Sequence, residues 1–486
     1  MLNSETAPGV GDIPPETFRA AAHRAADLLA DYLEGVGRYA VLPPVRPGEV
    51  SARLPAAAPE APEPMETILE DYRTLIEPNV THWNHPGFMA YFGITGSGPG
   101  VLGEALAAGL NVNAMLWRTG PAPTELEERV CDWLRQLLGL PEAFKGHIND
   151  TASIATFLAL AAARERSVPN VRARGLAGRP ELGLPTVYCS DQAHSSVDKA
   201  MIALGLGLEQ LRRIPSDERF RMDTSALRAA IEQDRRAKRN PIALVATLGT
   251  TSTTSLDPAA ELAEVAAREK LWLHVDAAYA GSAAICPEFR AGFAGWERAD
   301  SIVTNPHKWL FTPVDCSVLF VRDPAALKRA FALVPEYLRT PEAGVTNLMD
   351  YGIQLGRRFR ALKLWFVLRA FGAEGCRARI RAHCALAQAF ASWVAAEPDF
   401  EVCAPVPFST VCFRAVPDVS AREQDAFNEK LLEQVNATGE VFLSHTKLRG
   451  RYVLRMAIGN LRTTEGHVRR AWDALRNADC GMRNAE

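Results

Sequence analysis

Short apolar runs rich in β-branched residues alternate with helix-patterned stretches through the middle of the chain, and this alternation limits the possible folds most strongly. The runs predicted to be buried strands are Thr186–Cys189, Ile242–Leu248, Leu271–Val275, Ser301–Thr304 and Val318–Val321. Helical patterns over Ser196–Leu206, Ala226–Gln233 and Pro258–Lys270 separate several of them. This succession predicts an α/β fold with a mostly parallel sheet and helices on both of its faces.

The two ends of the chain differ from this middle part. Pro15–Val36 has the period of an amphipathic helix, and Pro43–Pro64 contains seven prolines, as expected of an extended connector. After Arg358 the pattern is mainly helical, with strand-like pieces at Val411–Ala415 and Tyr452–Ile458. We therefore expect an N-terminal helical arm at residues 1–95, a large α/β domain at 96–385 and a small α+β domain at 386–486.

Composition and charge exclude several classes of function. The formal net charge is −3, without basic clusters, which argues against nucleic-acid binding. No apolar run approaches the roughly 18 residues of a membrane span, and the first residues do not resemble a secretion signal. The nine cysteines form no CxxC pair, so we expect reduced thiols in a cytoplasmic protein.

Reactive side chains follow the predicted strands at the points where ligands bind in open parallel sheets. They lie in Ser190–His194, Gly249–Thr251, Asp276 and Asn305–Lys308. Each is ordinary alone, since a histidine after a strand is commonly structural and Asp276 could simply cap a helix. Four such segments at one edge of a sheet predict a functional site.

A lysine, an aspartate and a histidine at one sheet edge suit pyridoxal 5′-phosphate (PLP) chemistry. The lysine amine holds the aldehyde as an imine, a buried carboxylate keeps the pyridine nitrogen protonated, and an imidazole can lie flat against the ring. A phosphate then needs a helix N-terminus, which Asp150–Ser153 could form before the helical pattern of Ile154–Arg166. Simple helix capping explains these hydroxyls equally well.

Two other motifs point to different chemistry. Gly98–Gly103 matches GxGxxG, and Glu125 follows at a suitable distance, but no parallel strand follows and Pro99 lies in the turn. Dinucleotide binding is therefore disfavoured. His274 and Asp276 could supply two metal ligands, but a convincing third ligand is missing, so no metal is expected.

Several motifs together carry a family resemblance. Asp276-Ala277-Ala278-Tyr279-Ala280-Gly281 and Asn305-Pro306-His307-Lys308-Trp309 resemble the group II PLP-dependent decarboxylases, most closely the aromatic-L-amino-acid decarboxylases. Further matching motifs, spread over nearly the whole chain, are Thr81–Trp83, Thr124–Glu127, Thr151–Ser153, Ser190–Ser196 and Leu355–Arg360. The resemblance implies a fold-type I PLP-dependent transferase-like fold.

The resemblance also implies a role for individual residues. Lys308 would hold the cofactor covalently, Asp276 would pair with its ring nitrogen, and His194 would stack on its ring. Tyr337 matches a loop tyrosine that returns a proton to the carbon that has lost CO2. The remaining cofactor contacts would be Ala278 on the opposite ring face, Thr251 along the cofactor, and Ala152, Ser153, Asn305 and nearby His307 at the phosphate.

Substrate-pocket residues are implied in the same way, and here the chain departs from its relatives. Trp83, Tyr91 and Phe92 match aromatic pocket residues, but Gly93-Ile94 replaces the Pro-Thr of many relatives. Asn113 and Met115 stand where animal enzymes commonly have Ile and Phe. Gly356 leaves more room than the serine of phenol-selective plant relatives, which favours an indole.

The resulting prediction is a homodimeric enzyme, with active sites shared between subunits, that decarboxylates aromatic L-amino acids. Three alternatives remain open. A decarboxylation-coupled aldehyde synthase typically has Phe in place of Tyr337. A decarboxylase of acidic amino acids should have a basic side chain in its substrate pocket, and no such side chain is evident from Trp83 to Met115. A non-catalytic PLP-binding or scaffolding protein would not need Lys308, Asp276, His194 and Tyr337 together.

Overall fold

The computed structural model describes residues 11–333, 338, 341–342 and 344–483. Within them the helices are α1 Pro15–Gly35, α2 Glu49–Arg53, α3 Met65–Asp71, α4 Gly98–Leu110, α5 Pro121–Leu138, α6 Ala152–Ser167, α7 Val171–Arg174, α8 Ser196–Ala203, α9 Thr224–Arg236, α10 Ala259–Glu269, α11 Pro306–Trp309, α12 Pro324–Phe331, α13 Ala361–Ala396, α14 Ala421–Ala437 and α15 Glu465–Arg483. The strands are β1 Lys145–Asn149, β2 Pro185–Ser190, β3 Leu211–Ile214, β4 Asn240–Thr247, β5 Trp272–Asp276, β6 Ser301–Thr304, β7 Ser317–Val321, β8 Phe400–Val402, β9 Thr410–Ala415, β10 Ser444–Leu448 and β11 Arg451–Ala457.

Seven of the described strands form one sheet in the order β1-β7-β6-β5-β4-β2-β3. Strands β3, β2, β4, β5 and β6 are parallel, and β7 runs antiparallel to both of its neighbours, β6 and β1. The predicted α/β fold with a mostly parallel sheet is confirmed. Because β1 runs in the direction of the parallel strands, its carboxyl end lies at the same edge as theirs.

The central strands are buried along their whole length, as their continuous apolar sequences predict. Helix α6 packs against several of them, and Thr151 caps its N-terminus by accepting a hydrogen bond from Ile154 N. The GxGxxG segment begins α4 instead of a dinucleotide loop. Gly103 in that helix packs so closely on α13 that an added Cβ would lie 2.7 Å from Lys363 Cα.

A second, antiparallel sheet in the described residues has the order β10-β11-β9-β8. Backbone hydrogen bonds attach residues 87–89 to it: Met89 N donates to Phe442 O, Phe442 N to Gly87 O, and Ala457 N to Met89 O. The segment before α4 is therefore joined to the C-terminal sheet. The domain boundaries at 95/96 and 385/386 stay predictions, and α13 runs across the second of them.

Two further sequence expectations concern cysteines and membranes. All nine cysteines lie in the described residues and are free thiols. No helix in the described ranges is long and apolar enough to cross a membrane. The cytoplasmic location stays a prediction.

Candidate active site

Sheet topology gathers the predicted residues at one edge. Segments leading out of β1, β2, β4, β5 and β6 all begin there, and β7 begins there too because it runs the other way. Ser317 at the start of β7 donates a 2.7 Å hydrogen bond to Asn305, which follows β6. The carboxyl end of β1 leads directly to Thr151 and α6, which places the helix N-terminus beside the other segments.

Lys308 lies on the short helix α11 with its side chain half-buried. Burial lowers the pKa of its amine, the charge of Asp276 opposes that effect, and the charge of Arg455 adds to it. Its Nζ lies 5.3 Å from the centre of the Phe92 ring. Among the described residues no carboxylate is close enough to form an ion pair with Nζ, so the amine is available for chemistry.

Asp276 is 6% exposed at the end of β5, and its Oδ1 accepts a hydrogen bond from Ala278 N. This bond holds the carboxylate at the sheet edge and leaves Oδ2 for a ligand. Ala278 itself is 8% exposed. A buried carboxylate fixed in this way can stabilise a positive charge on a bound ring.

Two histidines of the site are held in the neutral form. Burial lowers the pKa of His194; the charge of Asp276 opposes this effect, and the charge of Lys308 adds to it. Its Nδ1 accepts a hydrogen bond from Ser196 N at 3.1 Å, so the ring proton lies on Nε2. Burial also lowers the pKa of His307 to about 3, and Cys316 N donates to its Nδ1 at 2.8 Å.

The residues fit a phosphorylated, ring-bearing cofactor. Ala152 and Ser153 form the first turn of α6, where backbone N–H groups attract anions. Asn305 is 2% exposed, and its side chain lies 3.2 Å from His307 Nε2. Several polar atoms along this edge are buried without a hydrogen-bond partner among the described residues: Asn149 Nδ2, Ser196 Oγ, Thr247 Oγ1 and Thr304 Oγ1. Buried polar groups of this kind normally have partners, which points to a polar ligand.

Thr251 lies in the loop after β4 and is exposed, at the same sheet edge as the other predicted cofactor contacts. Tyr337 falls outside the described residues. His274, the candidate metal ligand, instead lies 2.9 Å from Ser301 Oγ through its Nδ1. In the part of the chain that the structure describes, no group of three His, Cys, Asp or Glu side chains is placed to hold a metal.

The predicted pocket residues form two clusters. Phe92 stacks on Tyr279 with ring centres 3.8 Å apart, and Tyr279 stacks on Trp309 at 4.7 Å. Trp83 and Tyr91 stack on each other at 6.0 Å beside this column, and Ile94 follows in the same segment. Of these rings Phe92 lies beside Lys308, whereas Tyr279 and Trp309 are buried in the core.

The second cluster contains Asn113, Met115 and Gly356. Asn113 Oδ1 accepts a hydrogen bond from Arg357 N at 2.9 Å, and its Nδ2 lies 3.4 Å from Met115 Sδ. A Cβ added to Gly356 would meet only Asn113 Nδ2, at 4.0 Å. The Arg357 side chain is buried and forms an ion pair with Glu127 at 2.8 Å, which fixes the residue that bonds Asn113.

Arg455 was not among the residues predicted from the sequence, and β11 of the second sheet places it on the Lys308 side of the site. The guanidinium carbon lies 4.6 Å from the centre of the Phe92 ring, and the residue is 3% exposed. The sequence did contain a signal for a functional residue here, since Arg455 is a single arginine within the apolar run Tyr452–Ile458. Arginine is almost never fully buried without a partner. Arg455 lies outside Trp83–Met115, the segment in which no basic anchor was expected.

Comparison with known proteins agrees with this arrangement. Residues 47–416 match the family described as "Pyridoxal-dependent decarboxylase conserved domain". The chain belongs to the pyridoxal-dependent decarboxylase family. It is accordingly a PLP-dependent carboxy-lyase, and the predictions of cofactor and enzyme class are confirmed.

Individual relatives span nearly the whole chain. The aromatic-L-amino-acid decarboxylase of Catharanthus roseus is 42% identical over 96% of this chain and 95% of its own length. The phenylacetaldehyde synthase of Petunia hybrida is 41% identical over 97% of this chain and 96% of its own length. The structure of Oryza sativa TDC with PLP and tryptamine superposes with a TM-score of 0.94 at 37% identity, covering 97% of this chain and 99% of that one.

Proposed function

We propose that this enzyme decarboxylates aromatic L-amino acids, releasing CO2 and the corresponding arylalkylamine. The observation that carries the proposal is the Lys308 amine lying over the ring of Phe92, in a segment that also presents the stacked and accessible rings of Trp83 and Tyr91. An aromatic side chain packs favourably on such rings. The names of the relatives, which include decarboxylases of aromatic amino acids, support the same substrate class.

Each residue of the site has a proposed task. Lys308 would hold the cofactor covalently, Asp276 would stabilise positive charge at its ring nitrogen, and neutral His194 would lie against its ring. Bound PLP supplies the electron-accepting ring that takes up the electron pair of the broken carboxylate bond. Thr251 and Ala278 would line the ring, and Ala152, Ser153 and Asn305 would hold the phosphate, with His307 orienting Asn305.

Trp83, Tyr91, Phe92 and Ile94 would contact the substrate ring, and Tyr337 would donate the proton that completes the amine. Tyr337 is proposed from the sequence alone. Its phenol is the feature that separates a decarboxylase from an aldehyde synthase, because an unprotonated carbon can react with oxygen.

We expect the purified enzyme to release amine from Trp, Tyr, Phe, Dopa or 5-hydroxytryptophan at least about a hundredfold faster than from Glu or His. The accessible rings of Trp83 and Tyr91 and the free space beside Gly356 favour rings over small charged side chains. Amine and CO2 should form in equal amounts without oxygen uptake. Oxygen consumption in proportion to substrate, with aldehyde, ammonia and peroxide as products, would instead identify an aldehyde synthase.

Tyr337→Phe is the variant that tests the proton donor. It should still release CO2 but convert most product from amine to aldehyde, since Phe preserves the shape and removes the proton. Tyr351→Phe is the matched control, because Tyr351 packs on His147, with ring centres 5.5 Å apart. A normal amine yield from Tyr337→Phe would exclude Tyr337 as the donor.

We further propose that the active form is a homodimer with shared active sites. Helix α4 presents Leu102, Leu106 and Leu110 on one face, each more than half exposed, and α1 presents Phe18 at 62% exposure. An apolar stripe of this kind on a helix indicates a covered surface. Asn113 and Met115 follow α4 directly, so the dimer contact would lead to the second pocket cluster.

Leu106→Glu should dissociate the dimer and reduce activity by about tenfold or more, because a charge would be buried in the contact. Sedimentation equilibrium measures the mass against the 53.0 kDa of one chain. Ile202→Glu, on another surface and 60% exposed, is the control and should remain dimeric and active. A fully active wild-type monomer at nanomolar concentration would refute the shared site.

A further inference from the structure

Arg455 is a buried cation that has no acidic partner among the described residues. Its Nε donates to Ser252 O at 3.0 Å and its Nη1 donates to Tyr91 O at 2.7 Å, whereas its Nη2 has no hydrogen-bond partner in the described residues. No carboxylate in the described ranges forms an ion pair with it. Burying a charge in this way is costly, so a function should maintain it.

The position of Arg455 links three parts of the site. Its two backbone bonds tie β11 to the Tyr91–Phe92 segment and to the loop that follows β4. Its guanidinium also packs over the Phe92 ring, near which the Lys308 amine lies. Since Tyr279 stacks on Phe92 at an interplanar angle of 9°, the ring is held in place from more than one side.

The charge of Arg455 also acts on Lys308. Lys308 must be neutral to react, because the lone pair of its nitrogen forms the bond to the aldehyde carbon of PLP and water leaves. Among the groups that face it, Asp276 favours the protonated amine, whereas burial and Arg455 favour the neutral amine. His194 and His307 are themselves neutral near pH 7, because burial lowers the pKa of both.

Direct binding of the departing carboxylate is a poorer explanation of Arg455. A guanidinium on that carboxylate would stabilise the charged ground state more than the transition state, from which neutral CO2 departs. The observed bonds of Arg455 instead hold the protein backbone.

We propose that Arg455 is a positioning residue for Lys308: its backbone bonds and its packing fix the Phe92 ring beside the amine, and its guanidinium places a positive charge on that ring. This inference rests on the proposed role of Lys308. It concerns the readiness of the apoenzyme to take up its cofactor, before any substrate binds.

The test measures covalent PLP uptake by apoenzyme from pH 6 to 10, with borohydride trapping and peptide mapping. In Arg455→Met the apparent pKa for uptake should rise by about one unit, and uptake at pH 7 should slow by about tenfold. Arg455→Lys keeps the charge and should keep the wild-type pH profile. It should nevertheless raise KM, because a lysine cannot hold both backbone carbonyls.

Arg451→Met is the matched control on the same strand, since Arg451 is exposed and pairs with Glu401 at 2.9 Å. It should match the wild type, and far-UV circular dichroism and Tm should show that every variant is folded. An unchanged pH profile in folded Arg455→Met would overturn the inference. So would wild-type turnover of an acidic amino acid that Arg455→Met loses, since Arg455 would then bind substrate.

Failure of the proposed function would look different. A trapped label on another lysine in the wild type would remove the role of Lys308, whatever the Arg455 variants do. A label on Lys308 with an unchanged profile in Arg455→Met would refute only the inference about Arg455.

Discussion

Lys308→Ala should have no measurable turnover, while PLP binds only reversibly. Alanine removes the one proposed covalent attachment and leaves the surrounding fold unchanged, since the Lys308 side chain makes no ion pair in the described residues. Borohydride reduction followed by peptide mapping should place the label on Lys308 in the wild type and on no residue in the variant. Lys430→Ala, on the exposed face of α14, is the control and should behave as the wild type.

Lys363 is the other lysine that could carry the trapped label, and peptide mapping distinguishes it from Lys308. It is fully buried, and burial lowers the pKa of its amine to about 8. A low pKa alone would therefore make it a candidate nucleophile. Lys363 Nζ, however, lies 2.7 Å from Glu104 Oε2, and Gly103 packs directly against its backbone. Recovery of the label on Lys363 would overturn the assignment of Lys308.

Asp276→Asn should lower kcat at saturating PLP by about a hundredfold or more. The amide has nearly the shape of the carboxylate and can still accept a hydrogen bond from Ala278 N, but it carries no negative charge. Loss of one partner of a buried charge pair typically costs about 3 kcal/mol, which corresponds to a rate factor of that size.

Asp276→Glu keeps the negative charge but moves the carboxylate, so it distinguishes the effect of the charge from the effect of its position. We expect it to retain more activity than Asp276→Asn, with PLP affinity measured separately by titration of the apoenzyme. Near-normal kcat in Asp276→Asn at saturating PLP would remove the charge of Asp276 from the mechanism.

The sequence predicted the parts of the sheet whose strands are continuous apolar runs. Strand β6 has the predicted bounds, and β2, β4, β5 and β7 differ from prediction by one or two residues at an end. Strands β1 and β3 were not predicted because neither is a continuous apolar run. Gly146 and His147 interrupt the apolar pattern of β1, and Arg212 and Arg213 interrupt that of β3. The direction of β7 could not be predicted, since burial alone does not determine whether a strand is parallel.

The site was predictable where its residues follow strands. Lys308, Asp276 and His194 were predicted for that reason, and the sheet brings their segments to one edge, while their roles stay proposals. Arg455 was not, because its neighbours Tyr91 and Ser252 are distant in sequence and only packing of the second sheet brings them together. The relation of Asn113 to Gly356 likewise depends on a contact between remote loops.

The attachment of residues 87–89 to Phe442 and Ala457 determines when the active site can form during synthesis. A ribosome adding 5–20 residues per second needs roughly 20 to 70 s to travel from Met89 to Phe442. Phe88 and Met89, both buried in the finished fold, have no C-terminal sheet to cover them during that interval. The nascent chain must therefore keep an apolar segment from aggregating until Phe442 and Ala457 have left the exit tunnel and can pair with it.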